Sequence, residues 1–230
     1  MTFSIVARCP HTGEFGVGAL TALMGVGKLV GHASPGVGAV ASQASMNPYL
    51  AIDGLRLMAE GLEAPAALEE VLRRDPGRDV RQCGIVDRNG CTAAWTGERT
   101  LGWSGHLEDD AVVVSGNRLV GRHTLEAALE AFHAHRDREL AERLVLAVEA
   151  GESTGADTHG ARSGHVLVLG TEAYPLWDIR VDSEKDPALR LRELFEEYRT
   201  DFLPEVQRLP TRRDPVGAAT RELLGEDAGD

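Results

Sequence analysis

Apolar and polar residues change period several times along the chain, and each change marks an element. Residues 2–8 carry Phe3, Ile5 and Val6 among β-favouring neighbours, and residues 15–23 resume the pattern after turn chemistry at Pro10 and Thr12-Gly13. Together they predict a β-hairpin with a loop longer than two residues. Residues 26–44 are glycine-rich and apolar, broken at Pro35-Gly36, and 37–43 read as a buried strand. Asn47-Pro48 opens a helix with proline at its first position, an apolar stripe of Ile52, Leu55, Leu57, Met58 and Leu62, and a stop at Gly61. A second helix covers 64–73 through Leu68, Val71 and Leu72.

Strands return at 80–87 and 91–96 around Asn89-Gly90, the clearest hairpin signal in the chain, and again at 111–115. Helices over 123–136 and 139–150 follow, then strands at 166–169 and 177–181. An amphipathic helix over 188–202 closes the series with Leu189, Leu191, Leu194, Phe195 and Tyr198. This order is not a regular βαβ alternation. It predicts an α+β fold, antiparallel sheets with helices segregated to the outer layers. A single domain over 1–203 is expected, with 204–230, rich in Pro, Arg, Gly and Asp, as a loosely packed or disordered tail holding one short helix near Arg221.

Charge narrows the partners. The 230 residues include 24 Lys and Arg against 36 Asp and Glu, a net charge of −12. The longest basic runs are the pairs Arg73-Arg74 and Arg212-Arg213, so neither a nucleic acid nor an anionic membrane surface is an expected partner. There is no apolar run of the ~18 residues that a membrane-crossing helix needs, and the N-terminus has no leader pattern. Three cysteines, Cys9, Cys83 and Cys91, give an odd count with no C-x-x-C spacing, which points to a reducing, cytoplasmic setting. Edge strands need cover, so a homo-oligomer is expected.

Several motifs are better explained by packing than by chemistry. Gly36 to Ala41 fits G-x-G-x-x-A, but a proline precedes it and its residues favour a strand, whereas a dinucleotide fingerprint needs a helix beginning there. The histidines show no metal-ligand spacing. His133 and His135 fall on different faces of a helix, and Asp157 and His159 lie in a glycine-rich loop. No metal or other cofactor is expected. Cys9 and His11 are two apart at a turn, where convergence is rare, so Cys9 reads as a small apolar residue at a strand end.

Thr2 is different. Its small side chain permits removal of Met1, which would leave threonine at the head of the first strand. An N-terminal threonine carries both halves of a nucleophilic site, a hydroxyl that attacks and an α-amine that takes its proton. The reference pKa of that amine, about 7.7 to 8.0, suits a base near neutral pH. If Met1 is retained, Thr2 has no free amine and the chemistry is lost.

The surrounding blocks carry a resemblance. Thr2 to Arg8 with Thr12 to Val17 opens it. Gly36 to Ala41, Gln43-Ala44, Asn47-Pro48, Gly54-Leu55 and Gly61-Leu62 continue it, then Arg81-Gln82, Gly84, Val86-Asp87 and Thr96-Gly97. Trp103 to His106, Gly116 to Leu119, Asp178 to Asp182 and Asp186-Pro187 complete it over roughly residues 2–200. As an ordered set these blocks resemble an uncharacterised bacterial family, domain of unknown function 1028, grouped with the N-terminal-nucleophile (Ntn) hydrolases. The resemblance implies a four-layer αββα sandwich of two antiparallel sheets. It makes Thr2 the nucleophile, acting on an amide or related C–N bond of a small molecule. Oxyanion or substrate contacts are expected from the backbone at Ser42 and Gln43 or from the Asn117 side chain, with His32 as a polar or positive group beside Thr2. Two positions depart from the family pattern: Cys9 stands where an acidic residue is common, and Arg162 where glutamine commonly precedes the serine.

Two functions therefore stand open. One is an Ntn-type amidohydrolase, with a pocket at Thr2. The alternative is a non-catalytic binding or assembly protein on the same fold, with Met1 retained and no reaction with electrophiles. A nucleotide-dependent oxidoreductase built on Gly36 to Ala41 ranks behind both.

Overall fold

The computed structural model describes residues 2–156 and 160–225. Met1, the 226–230 end of the expected tail, and Asp157 and His159 lie outside the described residues. The predicted hairpin is present as β1 (Thr2–Arg8) and β2 (Phe15–Thr21), in a register that places Thr2 opposite Thr21. Next come β3 (Gly31–Ser34), β4 (Gly38–Ala44), α1 (Pro48–Ala59) and α2 (Ala64–Arg74). The middle of the chain forms β5 (Arg81–Asp87), β6 (Thr92–Thr96), β7 (Trp103–Asp109) and β8 (Val112–Leu119). Two helices, α3 (His123–Ala134) and α4 (Leu140–Ser153), precede β9 (Ser163–Leu169), β10 (Trp177–Val181) and α5 (Pro187–Asp201). The short α6 (Leu203–Val206) and α7 (Ala218–Leu224) follow.

The strands make two antiparallel sheets, one of order β10-β9-β2-β1-β8-β7 and one of order β3-β4-β5-β6. Alternation along each strand builds the layers. In β1, Phe3, Ile5 and Ala7 point to α3, α4 and α5, joining Leu125, Leu144 and Leu191 in one apolar core. Val6 points the other way and meets Val17, Ala39, Ala41 and Val86 between the sheets. Val40, Cys83 and Ile85 turn outward again to α1 and α2. The result is an α+β fold of two antiparallel sheets flanked by helices, in the order helix, sheet, sheet, helix.

Local chemistry explains the helix starts. Asn47 caps α1 by accepting from the Tyr49 N–H at 3.1 Å, with Pro48 in the first turn; Asp186 does the same for Leu189 at 3.1 Å before Pro187. The Asn89-Gly90 hairpin joins β5 to β6, and Gly90 takes the left-handed φ of +86° that this turn requires. Asp87 accepts from the Asn89 and Cys91 amides with one oxygen. With the other it accepts from the Ala64 amide at the start of α2, which has no side-chain cap of its own.

Gly36 to Ala41 is a turn followed by strand, and no helix begins there. Gly38 is needed for packing: a Cβ at that position would lie 2.4 Å from the Val86 carbonyl oxygen and 2.7 Å from Met58 Cε. Cys9 is buried in the helix-facing core, and all three cysteines are free. The segment expected as a loose tail is partly docked. Val206 is buried, Tyr174 Oη donates to the Pro210 carbonyl at 3.0 Å, and α7 contains Arg221. Among the described residues, no helix is long and apolar enough to cross a membrane.

Candidate functional site

β1 is an inner strand, with β2 on one side and β8 on the other, so its first residue has neighbours on both sides. The registers place Thr2 opposite Thr21 and opposite Asn117. Thr2 Oγ1 lies 2.9 Å from Thr21 Oγ1, and Asn117 Nδ2 donates to the Thr2 carbonyl at 3.3 Å. All three side chains are on the face turned toward the second sheet.

That inter-sheet layer is divided. Away from Thr2 it is apolar, around Val6, Val17 and Val86. Toward Thr2 it becomes polar, with Ser4 and Ser115 paired across β1 and β8, and with Gln43 and Gln82 supplied by the other sheet. The fully buried Gln82 ties the two sheets together. Its Oε1 accepts from Gln43 Nε2 at 2.7 Å and from Asn117 Nδ2 at 3.1 Å. Its Nε2 lies 2.9 Å from the Gly105 carbonyl, 2.8 Å from that of Gly116 and 2.9 Å from Thr96 Oγ1. Two backbone carbonyls fix which end of the amide is the donor. Thr96 continues the network to His106 Nδ1 at 2.9 Å.

Thr2 and Asn117 open onto a pocket of about 480 Å³, a volume suited to a small molecule. Its polar lining is completed by Ser45, Arg99, Thr100 and Arg118, and its apolar lining comes from Ala22, Leu23, Ala44, Val80 and Leu101. Among the consecutive residues that border it are Ala44-Ser45, at the end of β4, and Asn117-Arg118, in β8. A regular strand alternates its side chains between faces. Here left-handed backbone at Ala44 (φ 70°) and Arg118 (φ 55°) breaks the alternation. Such conformations cost non-glycine residues on the order of 1 kcal/mol or more and concentrate at functional sites.

The rim is held by a charge network. Arg81 Nε donates to Asp75 Oδ2 at 3.0 Å, and Arg81 Nη1 donates to the Ser45 carbonyl. Burial would raise the Asp75 carboxyl, but donors from Asn47, the Gly77 amide and Arg81 outweigh it and hold the group below its usual value.

The structure brings together only part of the expected set. Thr2 and Asn117 border the pocket. Gln43 is one hydrogen bond further in, on Gln82. Ser42 is not at the site. The two-residue period of β4 turns its side chain to the α1 side, where Oγ donates to the Asn47 carbonyl at 2.7 Å, and its N–H is spent on Val30 O at 3.0 Å. His32 is not beside the pocket either. It sits on the edge strand β3 opposite Val40, half-buried, its imidazole pKa lowered by burial against a smaller opposing effect of a hydrogen bond with the Val30 backbone. Sequence reasoning missed Thr21, Gln82, Arg99 and Arg118 as site residues. Thr21 was recoverable by counting hairpin register back from the loop. Arg99 and Arg118 carried no signal beyond their charge. Among the described residues, no group of three or more His, Cys, Asp or Glu is arranged to hold a metal ion.

A family model matches residues 2–191. The chain belongs to the family of unknown function DUF1028. A solved DUF1028 structure, protein SPO2555 from Silicibacter pomeroyi, is 30% identical, with a TM-score of 0.86 over 94% of this chain and 98% of that one. Anbu (ancestral β-subunit) from Yersinia bercovieri aligns at 11% identity and a TM-score of 0.41, over 88% of this chain and 97% of that one. No curated protein matches the sequence. The match spans all ten strands and α1 to α4, and it begins at Thr2. The two departures from the family pattern both lie off the pocket lining. Cys9 is in the apolar core, and Arg162 Nε donates to Ser183 Oγ at 3.0 Å.

Proposed function

We propose that this DUF1028 protein is an Ntn-type amidohydrolase, cleaving an amide or related C–N bond of a small molecule with Thr2 as nucleophile after Met1 is removed. The observation that carries the reading is the position of the Thr2 hydroxyl. It heads an inner strand, at the edge of a 480 Å³ pocket, beside an oriented amide donor on Asn117.

In this reading Thr2 Oγ1 attacks the substrate carbonyl carbon while its proton passes to the α-amine. With the Thr2 proton directed to that amine, Thr21 becomes the donor in the 2.9 Å contact between the two hydroxyls and fixes Oγ1 in place. The tetrahedral oxyanion is met by Asn117 Nδ2, which exchanges its longer bond, 3.3 Å to the Thr2 carbonyl, for the developing charge. The C–N bond breaks, the ammonium returns the proton to the departing nitrogen, and an ester remains on Thr2. Water then attacks that ester with the same amine as base, releasing a carboxylic acid and restoring the hydroxyl. The chemistry needs no metal. The protein is taken to work as a homo-oligomer in the cytoplasm, where three unpaired thiols are stable.

The test is covalent labelling by a β-lactone, read by intact mass and peptide mapping. Wild type and Thr2→Ser are expected to gain one adduct on residue 2, and Thr2→Ala none. Wild type that takes no adduct, or Thr2→Ala that labels equally, would overturn the reading in favour of a non-catalytic binding protein.

A further inference from the structure

The chain is acidic, with 36 Asp and Glu against 24 Lys and Arg, yet the Thr2 pocket is lined by two arginines, Arg99 and Arg118, and, among the described residues, by no carboxylate. Neither arginine has a carboxylate partner among the described residues. Elsewhere in the chain most arginines do, as at Arg81–Asp75, Arg180–Asp178 and Arg192–Glu149. Two unpaired cations about one pocket in a chain of net charge −12 are an electrostatic focus for an anion.

The loops that present them are built. Gly97 N–H donates to the Arg81 carbonyl at 3.0 Å, Arg99 N–H to that of Asp79 at 2.8 Å, and Thr100 N–H to that of Gly97 at 3.1 Å. There is no room at Gly97 for a side chain, since a Cβ there would lie 2.3 Å from Asp79 O. Arg118 N–H donates to Leu101 O at 3.0 Å, which joins the two loops and holds Arg118 in its left-handed conformation beside Asn117. The same pocket also has apolar lining, at Leu23, Val80 and Leu101.

We infer that the Thr2 pocket selects amides bearing a free carboxylate, as in an N-acyl amino acid, with Arg99 and Arg118 holding the carboxylate and the apolar wall taking the remaining carbon chain. This rests on the reading of Thr2 as nucleophile for its catalytic meaning, but carboxylate recognition is separable from it. Guanidinium groups hold carboxylates by charge-assisted, bidentate hydrogen bonds, which a neutral amide cannot reproduce.

The test is calorimetric titration of the full chain with N-acetylglycine and with N-acetylglycinamide, on wild type, Thr2→Ala, Arg99→Gln, Arg118→Gln and the double arginine variant. The acid is expected to bind at least ~10-fold more tightly than the amide. That preference should persist in Thr2→Ala, weaken with added salt, shrink in each arginine variant and vanish in the double variant. Both arginines are exposed, so unchanged melting temperatures show that the variants are folded. Equal affinity for the two compounds, a preference that survives the double substitution, or no binding of either at ~50 mM overturns the inference. A carboxylate preference without any β-lactone adduct on Thr2 upholds the anion site and refutes the nucleophile. An adduct without a preference does the reverse.

Discussion

Gln82 is the side chain on which both the sheet packing and the site geometry depend, and its replacement has a calculable cost. Gln82→Leu keeps roughly the volume and removes an amide whose oxygen accepts from Gln43 and Asn117 and whose two N–H groups are shared among the carbonyls of Gly105 and Gly116 and the Thr96 hydroxyl. Each buried polar group left without a partner costs about 1–3 kcal/mol, partly offset by the added apolar burial, so a net loss of about 4 kcal/mol is expected. For a domain of this size that lowers the melting temperature by about 10 °C. Calorimetry and urea unfolding measure it. The site responds as well, because Asn117 loses the acceptor that orients it, and β-lactone labelling of Thr2 should slow. Gln82→Glu separates the two ends of the amide. It retains an acceptor for Gln43 and Asn117 but sets a carboxylate against two carbonyls, so its deficit should shrink as the pH falls and the group gains a proton. A Gln82→Leu protein that melts within about 2 °C of wild type and labels at the wild-type rate would refute the reasoning.

Other expectations follow from the same geometry. His165 is fully buried, and neither of its ring nitrogens has a hydrogen-bond partner among the described residues. Burial lowers its pKa to about 4 from 6.5, with the Asp178 carboxylate 3.9 Å away opposing and Arg180 and His32 assisting. The unfolded chain therefore takes the proton first. Full stability holds above about pH 6.5, and about 3 kcal/mol is lost as the pH falls to about 4; His165→Leu should flatten urea-unfolding stability over that window. Asp75→Ala strips Arg81 of its partner and loosens Ser45 at the pocket rim. It should cost about 3 kcal/mol at neutral pH. In wild type that contribution is present above the usual carboxylate pKa and is lost as the pH falls through the lowered value, which a pH series of unfolding curves reads directly. Thr21→Val removes the hydroxyl on Thr2 Oγ1 while keeping shape. Labelling of Thr2 should fall by ~10-fold, and the partners that Thr21 leaves unpaired should lower stability by about 1–3 kcal/mol.

Much of the architecture was legible because it is written in local chemistry. The Asn47-Pro48 start of α1, the Asn89-Gly90 hairpin and the apolar stripe of α5 each follow from residues within one element. Two strands were not legible. β3 is a four-residue edge strand, and β7, Trp-Ser-Gly-His-Leu-Glu-Asp, has no apolar alternation because it is half-exposed and held by backbone pairing to β8. The site divides in the same way. Thr2 was singled out by its position together with the family resemblance, and Asn117 as part of a Gly-Asn loop expected after a strand; both border the pocket, though Asn117 lies within β8. Ser42 and His32 lie off the pocket lining, because their distance from Thr2 depends on which face of β4 and which edge of the second sheet they occupy. The arginines of the pocket escaped notice because the left-handed turn at Arg118 and the bonded loop at Arg99 are products of tertiary packing.

The central claim is that Thr2 bears a free amine beside its hydroxyl. Intact mass of the untagged protein, made in a host that trims methionine, with mapping of its first peptide, tests this most directly. The account predicts a chain lacking Met1 and beginning at Thr2. A chain that keeps Met1 has no base at the nucleophile and would contradict it.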